Sequence, residues 1–409
     1  MASYSIRFFL ALIAFAALVV PAAGQSLAEV RQYINQGNLE AAERTAERIV
    51  AANPADAVAW YLLGISRTGL GQMPGAIAAY REAVSIQPGF ADAWNNLGNL
   101  LRRSGNLDGA EAALTRALEA DPDNGQASLN AGMVSIQLRQ FREAIDRLER
   151  AEESMGEQFL ITYSLARAWI ELAERERAGP YLERLRESPP PGFSGFLELS
   201  TLLNQHGAFV PSAELLSSVP EDARSPEMLL RLGQAWFGLD RLVKAHDTFS
   251  AMVAASPKSV DGHLWRGYTA RGIGKHAEAF EELETALLLD PRSSEALLAL
   301  GTLTLETGDD DEAIAWFDRA LALDPDNVAT RIEKAVALGR LDRHEEVISI
   351  LVDLPEDDSP RHRALYLLAR AYRQVGNKTE ADSALERFRL LDRKIREAEG
   401  RATERPSPK

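Results

Sequence analysis

Residues 57–90 read AVAWYLLGISRTGLGQMPGAIAAYREAVSIQPGF, and residues 91–124 read ADAWNNLGNLLRRSGNLDGAEAALTRALEADPDN. Set in register, they agree at Trp60 and Trp94, Leu63-Gly64 and Leu97-Gly98, Gly71 and Gly105, Ala76 and Ala110, Ala83 and Ala117, and Pro88 and Pro122. The period is 34 residues. Positions 4, 7, 8 and 11 of each stretch form the i, i+3, i+4, i+7 stripe of a helix with one buried face. Positions 20, 24 and 27 form a second stripe after a break, so one unit is a pair of helices. Repetition at this period marks a stacked helical array.

Counting outward, units begin at Gly125, Phe159 and Phe193, one residue early at Pro226, and regularly at Val260, Ser294, Val328 and His362; one more begins at Ala23. Eleven units therefore span residues 25–391. Glycine at position 8 (Gly64, Gly98, Gly132, Gly233, Gly267, Gly301) is read as facing alanine at position 20, which lets the two helices close tightly. Glycine at position 15 (Gly71, Gly105, Gly274, Gly308, Gly376) ends the first helix in a left-handed turn. Proline ends the second helix at Pro54, Pro88, Pro122, Pro257, Pro291 and Pro325, and Asp326 and Asn327 offer caps for the helix that follows.

These spaced residues resemble tetratricopeptide repeats. The resemblance implies an all-α, right-handed superhelical solenoid of about eleven helix-turn-helix repeats, with a concave groove lined by the first helices. The array is irregular at residues 188–196, a proline-rich joint, and around Pro211 and Pro220, which bracket a short predicted second helix over Ala213–Val219. One reading is a bend between an N-terminal block, residues 25–192, and a C-terminal block, residues 193–391; the other is an unbroken stack containing one worn unit. The unit at Val328 has Val347 in place of alanine and an acidic exit loop at 355–360. Residues 392–409 are read as a charged helical cap and a disordered tail.

The N-terminus stands apart. Arg7, the apolar run Phe8–Val20 and the small residues Pro21 to Gly24 describe a signal peptide over residues 1–24, cut after Ala23 or Gly24. The location expected is periplasmic or secreted, in a bacterial envelope, with an uncleaved anchor as the alternative; the run is short for a bilayer span. Cysteine is absent, which removes disulfides and thiolate chemistry. The formal charge of −15 disfavours nucleic acid and favours basic or neutral protein segments as partners.

Chemistry is sparse. His344-Glu345-Glu346 opens like a zinc-protease motif, but Ile348 stands where the second histidine is required. His263 takes position 4, where tryptophan stands in other units, and is read as a core residue. No glycine-rich phosphate loop and no segment of catalytic-domain size is left over, so neither enzymatic activity nor a cofactor or metal is expected.

What remains is binding. In the family resembled, positions 2, 5, 6, 9, 12 and 13 face the groove. The stretch around Asn96 is similar to the repeats of O-linked N-acetylglucosamine transferases, whose position-6 asparagines hold an extended peptide backbone. That implies Asn96 and Asn130 as rungs, with Asn99 beside them, between Leu62 and Ser164, which break the series. Arg102 and Arg103, Tyr163 and Arg167, Arg231 and Gln234, and the aromatics Trp265 and Tyr268 complete the candidate face. The lysine and asparagine set of a two-carboxylate clamp is missing. The function expected is a scaffold holding a protein segment; a structural subunit of an envelope assembly or export machine is the alternative.

Overall fold

The computed structural model describes residues 23–354 and 361–403; residues 1–22, where most of the expected signal peptide falls, and residues 355–360 and 404–409 lie outside them. The described residues form eleven helix pairs and two short 3-10 turns, with no strand. The N-terminal block pairs Ala23–Asn35 with Leu39–Ala52, Ala57–Gly69 with Met73–Ile86, Ala91–Arg103 with Leu107–Ala120, Gly125–Gln137 with Phe141–Met155, and Phe159–Glu171 with Arg175–Glu187. The C-terminal block pairs Phe196–Gln205 with Phe209–Ser217, Pro226–Gly238 with Leu242–Ala255, Val260–Gly272 with His276–Leu289, Ser294–Thr307 with Asp310–Leu323, Val328–Arg340 with His344–Leu351, and Arg361–Gln374 with Lys378–Thr403. The chain divides into these blocks after Gly195.

The ends of each helix follow from the sequence. In six places the last residue of a unit caps the next: Asp56, Asn124, Ser225, Ser259, Ser293 and Asn327 each accept from the backbone N–H three residues on, at 2.9–3.3 Å. Position 15 takes a positive φ in all eleven units. Seven are glycines, but Arg139, Ala173, Asp240 and Asp342 hold the same left-handed geometry at φ 61°, 57°, 55° and 57°. The tight turn between helices is thus set by the hairpin and imposed on whatever residue stands there.

Packing within a hairpin turns on position 8. The residue it meets first is position 24, with the position-20 backbone second. A Cβ built on Gly64 would lie 2.5 Å from the Tyr80 ring; on Gly98, 2.6 Å from Leu114; on Gly301, 2.5 Å from the Phe317 ring. The alanine at position 20 contributes its carbonyl, 3.3 Å away for Gly98 and Gly132. The glycine therefore makes room for a large partner, and Tyr80, Leu114, Phe249, Leu283 and Phe317 are almost fully buried there. Each such side chain contributes roughly 1.5–3 kcal/mol by leaving water. The first unit inverts the sizes: Val30 fills position 8, Ala46 fills position 24, and both are fully buried in one core.

Linkers between units are held from the following helix. Trp60 Nε1 donates to the Pro54 carbonyl at 2.9 Å, and Trp94 Nε1 to that of Pro88 at 2.8 Å. Arg331 Nε does the same to Pro325 at 2.8 Å, and His263 Nε2 lies 3.1 Å from the Pro257 carbonyl oxygen. Position 4 thus supplies an N–H to the proline six residues back in four units, through three different side chains.

In the sixth unit the second helix begins at Phe209, earlier than Ala213, because Pro211 falls in its first turn, where no backbone N–H is needed. The final helix runs in one piece to Thr403, so residues 401–403 belong to it.

Candidate peptide-binding face

The first helices of the N-terminal block bring several of the predicted residues onto one face. On Ala91–Arg103, Asn96, Asn99 and Arg103 follow at one-turn spacing, with Arg102 beside them. Asn96 and Asn99 are half-buried, Arg102 is half-buried and Arg103 is exposed. Arg102 Nη2 donates to Asn99 Oδ1 at 3.1 Å, which orients the guanidinium along the helix. Burial, and then the neighbouring Arg103, push the Arg102 guanidinium below its ordinary value.

The two asparagines read as rungs are placed differently. Asn130 is 5% exposed, and its Nδ2 donates to Asn95 Oδ1 at 2.8 Å; Asn95 is itself 7% exposed. This buried amide pair joins the first helices of units three and four. Asn96 is instead half-buried, close enough to the Tyr61 and Tyr80 hydroxyls to act on both. Burial nevertheless raises the Tyr61 hydroxyl above its ordinary value, with Asp92 adding to the effect, and pushes Tyr80 up to about 12. Asn95, at position 5, was missed because the rungs were sought at position 6 alone. Its 35-residue separation from Asn130, one more than the period, was the available signal.

Tyr163 and Arg167, two units further on, are both half-buried. Tyr163 stands 5.8 Å from the Phe159 ring, and Gly195 lies against its edge, where a Cβ would come within 2.4 Å. Trp265 and Tyr268 belong to the C-terminal block. Trp265 packs edge-on to Phe237 at 5.3 Å and stacked on Phe249 at 5.6 Å, with Tyr268 at 5.8 Å. These rings seal units seven and eight together while Trp265 and Tyr268 keep partial exposure. The Tyr268 hydroxyl donates to the Glu295 carbonyl at 3.4 Å. Arg231 Nη1 donates to Gln234 Oε1 at 2.9 Å in the same block.

Unit eight also holds a charged cluster. His263 Nδ1 is 2.7 Å from Glu282 Oε2, and Arg266 bonds Glu282 Oε1 and Glu278 Oε1, each at 2.8 Å. Lys275 and His246 complete it against Glu278, at 3.0 and 3.3 Å. Every charged member has an opposite partner inside the protein, which marks the cluster as structural. Among the described residues no group of three or more histidine, aspartate or glutamate side chains is placed to hold a metal ion, and no helix is long and apolar enough to cross a membrane.

Stacked helix hairpins with a polar face on their first helices define a helical repeat protein of the interaction-scaffold kind. Models of the tetratricopeptide repeat match residues 27–91 and 266–328, 68–133, and 362–394. The chain is a tetratricopeptide repeat protein. It is 33% identical to human tetratricopeptide repeat protein 7B over 141 residues, 32% of this chain but only 17% of that relative's length. Among solved structures it is similar to the C-terminal part of a repeat protein from Cytophaga hutchinsonii (TM-score 0.49, 14% identity, 58% of this chain and 98% of that one). It is also similar to MamA (0.36, 20%, 45% and 97%) and to Naa15/Naa10 bound to HypK-THB (0.38, 14%, 93% and 79%). Proteins of this repeat family generally bind other proteins without catalysis.

Proposed function

We propose that this chain is a non-enzymatic scaffold of the cell envelope that holds a protein segment on the first-helix face of its N-terminal block. The observation that carries the reading is the run Asn96, Asn99, Arg102 and Arg103, which places amides and guanidiniums at an accessible face instead of spending them all on packing. Amides both donate to and accept from a peptide backbone, and a largely preformed face binds without a large ordering cost. The overall charge of −15 supports attraction of basic regions of a partner to the rest of the surface. The envelope location rests on the leader Arg7 to Gly24.

The test is a photo-crosslinking residue at Asn99, compared with one at the exposed Thr115 on a second helix. Capture of a protein at Asn99 and not at Thr115 supports the reading; capture confined to Thr115 removes it. Export is checked by sequencing the mature N-terminus, expected near Gly24 to Ser26. An intact Met1 in a soluble cytoplasmic fraction would overturn the location.

One observation favours the second reading, a fixed subunit of an envelope machine. Val210 and Val243, at position 18 of units six and seven, are 52% and 62% exposed, and Val210 lines a cavity of about 460 Å³ with Trp236 and Leu239. An apolar edge of this kind suits a permanent contact. Loss of a stable co-purifying complex in Val210→Asp/Val243→Asp, with capture at Asn99 absent, would make this the better account.

A further inference from the structure

We infer that the partner of the first-helix face is an acidic, extended segment whose side-chain carboxylates seat on Arg102 and Arg103. This rests on the binding face proposed above and names the chemistry of what it takes. The sign is opposite to that of the chain as a whole. On the first helices of the N-terminal block the acidic residues are Glu29, Asp92 and Glu171. Glu29 accepts the Tyr33 hydroxyl at 3.0 Å, and Glu171 lies 3.8 Å from Arg139. Asp92 sits at the far end of its helix from Arg102, beside Tyr61.

The arginines of the same block show what is unusual. Arg67, half-buried, holds Glu43 at 3.1 Å and Glu47 at 2.7 Å. Arg147 holds Glu111 at 3.2 Å together with Glu143 at 2.5 Å, and Arg184 holds Glu152 at 2.7 Å with Glu157 at 3.7 Å. These three partly buried guanidiniums are each met by two carboxylates. Arg102 is also half-buried, yet burial, Arg103 and the neutral amide of Asn99 act on it, and among the described residues no carboxylate does. A guanidinium taken out of water without an opposite charge is unfavourable, and a second cation beside it makes it more so. A carboxylate from a partner removes both costs, and the planar fork of arginine suits it.

The remaining geometry fixes how the segment lies. Asn99 orients the Arg102 fork, and Asn96 stands one turn back, toward the Asp92 end. A main chain running along the helix meets the amides first, and its acidic side chains fall at the Arg102–Arg103 end. Helix-end arginines also favour the helix dipole. That role asks only for positive charge and not for a ligand, so the two can be separated.

The probes are fluorescent peptides of alternating Gly with Glu, Lys or Gln, acetylated and amidated, titrated against the full chain at low and high salt. The Glu peptide should bind, and weaken as salt rises; Arg102→Gln/Arg103→Gln should lose about tenfold in affinity or more, while Arg102→Lys/Arg103→Lys retains part of it and the melting temperature of both stays near that of the parent. Equal binding of the three peptides, no binding of the Glu peptide, or Glu-peptide binding indifferent to Arg102→Gln/Arg103→Gln would overturn the inference. The photo-crosslink at Asn99 separates this from the face itself. A captured segment that is basic, or held only by its terminal carboxylate, removes the acidic partner and leaves the face standing; no capture at Asn99 removes the face.

Discussion

His263 places its two ring nitrogens against two oxygens of different elements, Nε2 at 3.1 Å from the carbonyl of Pro257 and Nδ1 at 2.7 Å from Oε2 of Glu282. The first contact is the one Trp60 and Trp94 make with Pro54 and Pro88. The second ties the linker to the charged cluster of unit eight. A residue that looks like a departure from the repeat thus keeps its linker contact and adds another.

The two settings should differ in cost. Trp94→Phe keeps the ring and loses one N–H to a solvent-accessible carbonyl, an expected loss of about 1 kcal/mol. His263→Phe leaves both the Pro257 carbonyl and a side of the buried Glu282 unpartnered, an expected loss of about 2–3 kcal/mol. Urea unfolding of each variant measures the difference, and an equal loss would show that the Glu282 contact contributes nothing.

Glycines at positions 8 and 12 predict opposite signs. Gly301→Ala drives a methyl to 2.5 Å from the buried Phe317 ring and should cost about 1–3 kcal/mol. At Gly339 the nearest neighbour is Val347 at 4.0 Å, so Gly339→Ala should gain about 0.5–1 kcal/mol from helix propensity. Thermal unfolding of the two variants should show one midpoint falling and the other rising.

The left-handed turns offer a graded series. Ala173 holds φ 57° with no local compensation, whereas Asp240 at φ 55° belongs to a residue type that tolerates this region. Ala173→Gly should stabilise by about 0.5–1 kcal/mol and Asp240→Gly by less. A larger gain at Asp240 would contradict the ordering.

Tyr80 carries the alkaline limit. Burial raises its hydroxyl from 10.0 to about 12, against the opposing bond from Thr68. The unfolded chain ionises first, so the contribution of Tyr80 is complete below pH 10 and is lost as pH rises through about 12. Tyr80→Phe should flatten that part of the stability profile, and spectrophotometric titration should lose its latest-ionising tyrosine.

Much of this architecture was legible because it is local. Position 8 glycines, the caps at Asn124 and Asn327 and the linker prolines each act within a turn or two of themselves, and the period repeats the message. The left-handed turns at Arg139 and Ala173 were not legible, since the hairpin imposes them on residues that do not advertise them. The start of the sixth second helix at Phe209 was hidden by Pro211, which reads as a breaker unless the first turn is already placed. The face was harder still. Whether Asn95 or Asn96 meets Asn130 depends on the rotation between successive units, and the lack of a carboxylate at Arg102 is a property of everything around it. Charge summed over the chain pointed to basic partners, while the side chains gathered on one face carry the other sign.

The inverted sizes of Val30 and Ala46 reach beyond stability. The first unit is not a spare copy of the second: setting its Val30 opposite a ring such as that of Tyr80 would force the two hairpin helices apart, and setting Gly64 opposite Ala46 would leave a hole. Gene duplication or slippage that joins the first unit to a glycine-bearing one would therefore succeed only where the crossover keeps Val30 with Ala46 and the glycine with its own large partner. Crossovers in the linkers keep that pairing and those within a hairpin break it, so the linkers are the seams along which this array could have grown.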